Sequence, residues 1–241
     1  MNDTLLFITG ASSGIGQALA LEALERGGHV IGVSRSKTID HSNYTHLSID
    51  LSEIKQMAEI AFEKQERFKR IVLVNNAGTL GEIKYLGDLT QKSIENAIQL
   101  NFMAPFVLLN NFMKAYINSP HEKVVINISS GAGKNPYDGW SEYCSTKAGL
   151  DMLTKVAKKE LDLKKVDDFY VFAASPGVVE TNMQEQIRST SKTEFSLLDK
   201  FIEMKENNIN KSPVQSAKEL LHLVENPTAY QENIFPDFWQ A

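Results

Sequence analysis

Cysteine occurs once, at position 144, so no disulfide can close within the chain, and a reducing, cytoplasmic setting is expected. Charge of neither sign dominates: 25 Lys and Arg stand against 30 Asp and Glu, a net −5. No Lys/Arg cluster interleaves with aromatics, which argues against nucleic acid as a partner. Long apolar runs are missing as well. The most apolar helix-like stretch, FMAPFVLLNNFM at 102–113, is too short and too interrupted to span a bilayer, so no membrane partner is expected. The opening MNDTLLFITG has no basic segment and begins a strand almost at once, unlike a signal peptide. The histidines at 29, 41, 46, 121 and 222 form no H-x-x-x-H or carboxylate cluster, and no metal site is expected. Internal repeats, low-complexity tracts and linkers are also lacking.

What is present suits one large α/β domain: 241 residues, 42% apolar and 23% charged. Strand-like runs fall at 5–9, 29–34, 45–50, 70–78, 123–130 and 169–175. Several are apolar almost throughout, as strands are when helices cover both faces of a parallel sheet. Helical spacing lies between them, from IGQALALEALERG to 52–68 (Ser52 as N-cap), about 90–118 and 141–163. A last helix at 216–225 and a short strand at 233–235 complete the pattern. The polar, helical-looking insertion at 181–212 follows a strand's C-terminal end, where ligands bind in open α/β sheets. The whole of 1–241 reads as a single catalytic domain.

Three short stretches carry chemistry. TGASSGIG, directly after the first strand, spaces Gly10, Gly14 and Gly16 as G-x-x-x-G-x-G, with Ser12, Ser13 and Ile15 between them. A tight turn, close backbone approach and free N–H groups at a helix start suit a dinucleotide pyrophosphate. At the end of the second strand, Ser34 stands where an acid would hold a ribose 2′-hydroxyl, and Arg35 follows. A missing acid and an available guanidinium favour NADP(H) over NAD. In SEYCSTKAG, Tyr143 and Lys147 are four residues apart on one helical face. Alone that spacing is common packing, but an ammonium beside a phenol also lowers its pKa from ~10 and makes it a usable acid. Cys144 is turned by ~100° from that face and is expected to be a small buried side chain.

Together with NNAG at 75–78 and SPGVVET at 175–181, these stretches resemble the short-chain dehydrogenases/reductases over nearly all of the chain. The resemblance implies a Rossmann-like doubly wound sheet of about seven mostly parallel strands with helices on both faces. It also implies a catalytic set. Ser130, thirteen residues before Tyr143, stabilises the substrate oxygen, and Tyr143 gives it a proton. Lys147 holds the cofactor ribose, and Asn101 in IQLNFMAPF holds a water on the proton path. Asn76, Ala77 and Gly78 wall the adenosine side, Asp50 and Leu51 lie near the adenine, and Pro176, Gly177, Val179 and Thr181 surround the nicotinamide. A homodimer through the helix at 102–116 and the helix bearing Tyr143 is implied too.

ETNMQEQIRSTS at 180–191 and PDFWQA at 236–241 resemble the sepiapterin reductase branch, whose bacterial relatives include benzil reductases. That likeness makes Asp237 an anchor for a pterin; the alternative is a solvated terminal carboxylate. Tyr137 and Trp140 either line an aromatic substrate pocket or pack a loop. The expected activity is NADPH-dependent reduction of a small aromatic or vicinal dicarbonyl compound. A 3-oxoacyl thioester reductase is the first alternative, although the insertion mixes Lys and Arg with as many acids. A catalytically silent NADP-binding regulator is the second, although the catalytic set is complete.

Overall fold

The structure of the protein is a computed structural model that describes residues 1–57, 60–63 and 65–238. β1 (Thr4–Thr9), α1 (Gly14–Glu25), β2 (His29–Ser34), β3 (Tyr44–Ser48), α2 (Ile54–Met57) and β4 (Arg70–Asn75) form the first half. α3 (Gln91–Ile98) runs through a π-turn over Gln99–Met103 into α4 (Ala104–Tyr116), followed by β5 (Glu122–Ile128), α5 (Ser141–Leu163) and β6 (Phe169–Ala174). α6 (Asn182–Arg188), α7 (Leu198–Glu206) and α8 (Pro213–Glu225) come last.

Six strands build one parallel sheet in the order β3-β2-β1-β4-β5-β6. Because both faces are covered, both sets of alternating side chains must be apolar. Leu6 and Ile8 of β1 join the core beneath α1 and α8, while Leu5 and Phe7 join the core beneath α4 and α5. Full burial of such a side chain contributes roughly 1.5–3 kcal/mol relative to exposure. The strand order reverses between β1 and β4, which opens a crevice at the carboxyl ends of these strands. Among the described residues no helix is long and apolar enough to cross a membrane.

Three elements depart from the sequence pattern. A seventh strand at 233–235 does not form. Residues 234–238 run beside β6 instead, with Ala173 N–H donating to Ile234 O (2.8 Å) and Phe238 N–H to Ser175 O (3.0 Å). The pairing there is a single bridge between Ser175 and Asp237, because Pro236 has no N–H to extend a ladder. The helix expected over 52–68 is reduced to Ile54–Met57, with 58, 59 and 64 outside the described residues. Tertiary contacts override its periodicity. Phe62 packs edge-on against Phe7 and Phe112 (4.9 and 5.3 Å between centroids), and the Tyr116 hydroxyl donates to Glu63 O (2.6 Å). The long helix at 90–118 is interrupted at Asn101 by the π-turn. By contrast α8 starts three residues early, with a Ser212–Gln215 capping box.

A buried polar chain ties the sheet to α5. Asn75 Nδ2 donates to Asn127 Oδ1 (2.8 Å), and Asn127 Nδ2 donates to Thr154 Oγ1 (2.9 Å). Asn127→Leu would leave the Asn75 amide unpaired in the core. We expect a loss of about 1–3 kcal/mol in urea unfolding; a variant as stable as the wild type would contradict this chain's role.

Candidate active site

The crevice holds a cavity of about 430 Å³. One wall is the turn between β1 and α1. Thr9 Oγ1 accepts the N–H groups of Asn76 (2.9 Å) and Ala77 (3.0 Å), which fastens the NNAG loop to that turn. Gly10 has φ +67°, and a Cβ there would lie 3.0 Å from Ala77 Cα, so only glycine fits. Ser13 caps α1 without a side-chain bond, and no acid stands in the first turn. Ser13, Gly14 and Ile15 line the cavity, so helix N–H groups with a partial positive charge meet it.

The opposite wall carries Ser130, Tyr143 and Lys147. Ser130 follows β5 by two residues and accepts the Ala132 N–H (3.2 Å), which fixes its side chain. Tyr143 and Lys147 lie on the inner face of α5, 9% and 4% exposed. Burial pushes the Tyr143 phenol up to about 12, against a smaller downward pull from Ser130. Burial also pushes Lys147 down to about 8, with Asp151 pulling it back up. The expected net lowering of the Tyr143 pKa by Lys147 is therefore corrected: burial outweighs it. The ammonium lies 5.4 Å from the phenol ring centroid and donates to Ile128 O (2.6 Å), so desolvation outweighs its field. Cys144 is half-buried rather than buried, with Sγ toward Asn135 O.

Asn101 stands behind this wall rather than on it. Its Oδ1 accepts Thr79 N–H (2.8 Å), and its Nδ2 donates to Thr79 O (2.8 Å) and Thr146 Oγ1 (3.2 Å). The π-turn puts this side chain between the loop after β4 and α5; such turns recur at functional sites.

Asn76, Ala77 and Gly78 line the cavity, as do Pro176, Gly177, Val179 and Thr181. Ser12, Gly16, Arg35, Asp50 and Leu51 lie outside it. Ser34 is turned inward, donating to Ser36 O (2.9 Å) with His46 Nε2 at 3.1 Å, and Arg35 is exposed. Asp50 Oδ1 accepts the Ser52 N–H and hydroxyl (2.9 and 2.7 Å), while Leu51 is buried in the core.

Trp140 is at once pocket wall and packing. It lines the cavity, yet Tyr137 (5.0 Å) and Phe195 (4.9 Å) both stack on it, and Tyr143 meets it edge-on (6.0 Å). Tyr137 also lines the cavity. Asp237 is exposed at the rim. The sequence reading missed Leu80, Ile187, Phe201 and Met204, which close the cavity with Trp140; amphipathic spacing in 181–212 is the signal that marks three of them. It also missed Glu180, which clamps this cover. Glu180 accepts from Arg188 (2.7 Å) and Asn210 (2.8 Å) and pairs with Lys205 (3.2 Å).

Comparison with known proteins agrees with this architecture. The family model described as short chain dehydrogenase matches residues 4–192. The benzil reductase ((S)-benzoin forming) of Bacillus subtilis is 42% identical over 231 residues, 93% of this chain and 94% of that protein. The sepiapterin reductase of Mus musculus is 31% identical over 96% of this chain and 95% of its own. Levodione reductase superposes with a TM-score of 0.81 at 20% identity, covering 99% and 96%, a likeness of fold.

Burial pulls the Glu180 carboxyl up, but Arg188, Asn210 and Lys205 together hold it at about 2, against 4.5 for a free group. Its folded-state pKa is depressed, so its contribution to stability is complete above 4.5 and lost as pH falls toward 2. The stability gap between wild type and Glu180→Gln should thus be constant near neutrality and shrink below pH 4.5 in urea unfolding. A gap that persists unchanged to the acid limit would contradict the clamp.

Proposed function

The chain belongs to the short-chain dehydrogenase family, and from that premise we propose an NADPH-dependent reductase of small aromatic or vicinal dicarbonyl compounds. The observation that carries the reading is Ser130, Tyr143 and the largely buried Lys147 together on the cavity wall. The dinucleotide fits the residues present: the Gly10 cradle and the acid-free start of α1 suit a pyrophosphate. Arg35, exposed at the end of β2 with no acid at Ser34, suits a 2′-phosphate.

When bound, the nicotinamide supplies the hydride. Ser130 donates a hydrogen bond to the substrate oxygen as negative charge develops there. Tyr143, kept neutral by burial, delivers its proton to the same oxygen. The phenolate so formed lies beside the Lys147 ammonium, an attraction that exists only as the proton leaves and thus favours the transition state. Asn101 holds Thr79 and Thr146 in place behind the pair and is proposed to support the water that returns the proton.

The substrate assignment rests on the benzil and sepiapterin reductase relatives and on the aromatic wall of Tyr137 and Trp140. A second carbonyl also makes its neighbour a better hydride acceptor. Asp237 at the rim is proposed to meet the pterin edge if a pterin is the substrate. The chain is further proposed to work as a cytoplasmic homodimer, since Met103 and Phe106 near the start of α4 and Met152 and Val156 on α5 expose apolar surface.

Nicotinamide oxidation with a panel of carbonyl compounds tests the reading. Benzil or a 1-phenyl-1,2-dione should outrun a simple ketone, and NADPH should exceed NADH about ten- to a hundredfold in kcat/KM, from ~1.5–3 kcal/mol for one charge-assisted pair. Tyr143→Phe should cost at least ~10²-fold in turnover with NADPH still bound. Equal use of both cofactors, or a half-active Tyr143→Phe, would refute the respective parts.

A further inference from the structure

Asp151 lies on the inward face of α5, four residues beyond Lys147 and eight beyond Tyr143, and is 6% exposed. Its Oδ1 accepts the hydroxyl proton of Ser129, the neighbour of Ser130 at the end of β5. On its other side the short turn after Ser130 is built against it: a Cβ on Gly133 would lie 2.8 Å from Asp151 Oδ2 and 3.2 Å from Lys147 O. One carboxylate thus touches the strand end, the turn and the helix that together present Ser130, Tyr143 and Lys147.

Lys147 needs such a neighbour. An ammonium enclosed this completely loses its hydration and tends to shed its proton. Its hydrogen bond to Ile128 O satisfies one of three donors and brings no negative charge. The charged groups that face Asp151 are Lys147 and Lys155 from α5 and Lys134 after the turn; Ser129 faces it from β5. Burial raises the Asp151 carboxyl, and Ser129 and these cations oppose the rise. Neutral Tyr143 lies one turn beyond Lys147.

We infer that Asp151 is a positioning residue whose negative charge keeps Lys147 an ammonium inside the closed site and whose bond to Ser129 fixes the strand end that presents Ser130. The role rests on the proposed reading of Tyr143 as the acid and Lys147 as its ammonium. Asp151 acts through space, since Lys147 itself is turned to Ile128 O.

The test is a pH titration of Lys147 in the full-length protein labelled with [¹³C]lysine, the Cε signal being assigned by its loss in Lys147→Arg. This readout needs no substrate, so it stands or falls apart from the activity reading. Asp151→Asn keeps the shape and an acceptor for Ser129 but removes the charge. It should lower the Lys147 midpoint by about one pH unit, the smaller end of shifts from a nearby opposite charge. The alkaline limb of kcat/KM should move down with it, and Asp151→Glu should restore most of both. An unmoved midpoint in folded Asp151→Asn overturns the inference. Ser129→Ala leaves the carboxylate in place and should keep the wild-type midpoint. A full one-unit fall in that variant would assign the effect to the scaffold and likewise overturn it, whether or not Asp151→Asn folds.

Discussion

Desolvation of the Tyr143–Lys147 pair is the constraint on which the site depends. Taking an ammonium and a phenol out of water pushes the first toward losing its proton and the second toward keeping it. For the roles proposed for Tyr143 and Lys147 these tendencies pull in different directions: the phenol keeps its proton, while the ammonium is put at risk. The Ile128 carbonyl answers part of that risk with a hydrogen bond. The rest is assigned to the Asp151 charge, which the strand end, the turn after it and α5 hold in place.

The fold supplies that hold from far along the chain. The parallel order β3-β2-β1-β4-β5-β6 brings the turn after β1, the NNAG loop after β4 and the SS pair after β5 to one edge. Thr9 ties the first two together, and the Asn75–Asn127–Thr154 chain ties β4 and β5 to α5. The aromatic stack on Trp140 then joins α5 to the helical cover, which Glu180 fastens at its base. Each link is a short-range contact, and the cavity is what they leave between them.

Much of this was legible in the sequence because the signals are local. The doubly apolar strands, the glycines at 10, 14 and 16, and the four-residue step from Tyr143 to Lys147 each reflect geometry within a few residues. The bounds of β2 and α5 follow for the same reason. What failed depended on distant partners. Helical spacing over 52–68 is real, but Phe62 packs on Phe7 and Phe112 from a non-helical stretch, and the Tyr116 hydroxyl donates to the Glu63 carbonyl. The strand at 233–235 met Pro236. The direction of the Tyr143 pKa depends on burial in the folded site, and no spacing between Tyr and Lys reveals it. Asp151 and Glu180 were invisible because a carboxylate's meaning lies in what surrounds it.

The most direct test of this account is an ultraviolet difference titration of the cofactor-free protein, with Tyr143→Phe as the reference, following phenolate absorbance as pH rises. The account predicts no Tyr143 phenolate through the pH range in which exposed tyrosines ionise, around ~10, since burial holds this phenol near 12. A phenolate signal with a midpoint near neutrality would show that the Lys147 field outweighs desolvation and would contradict it.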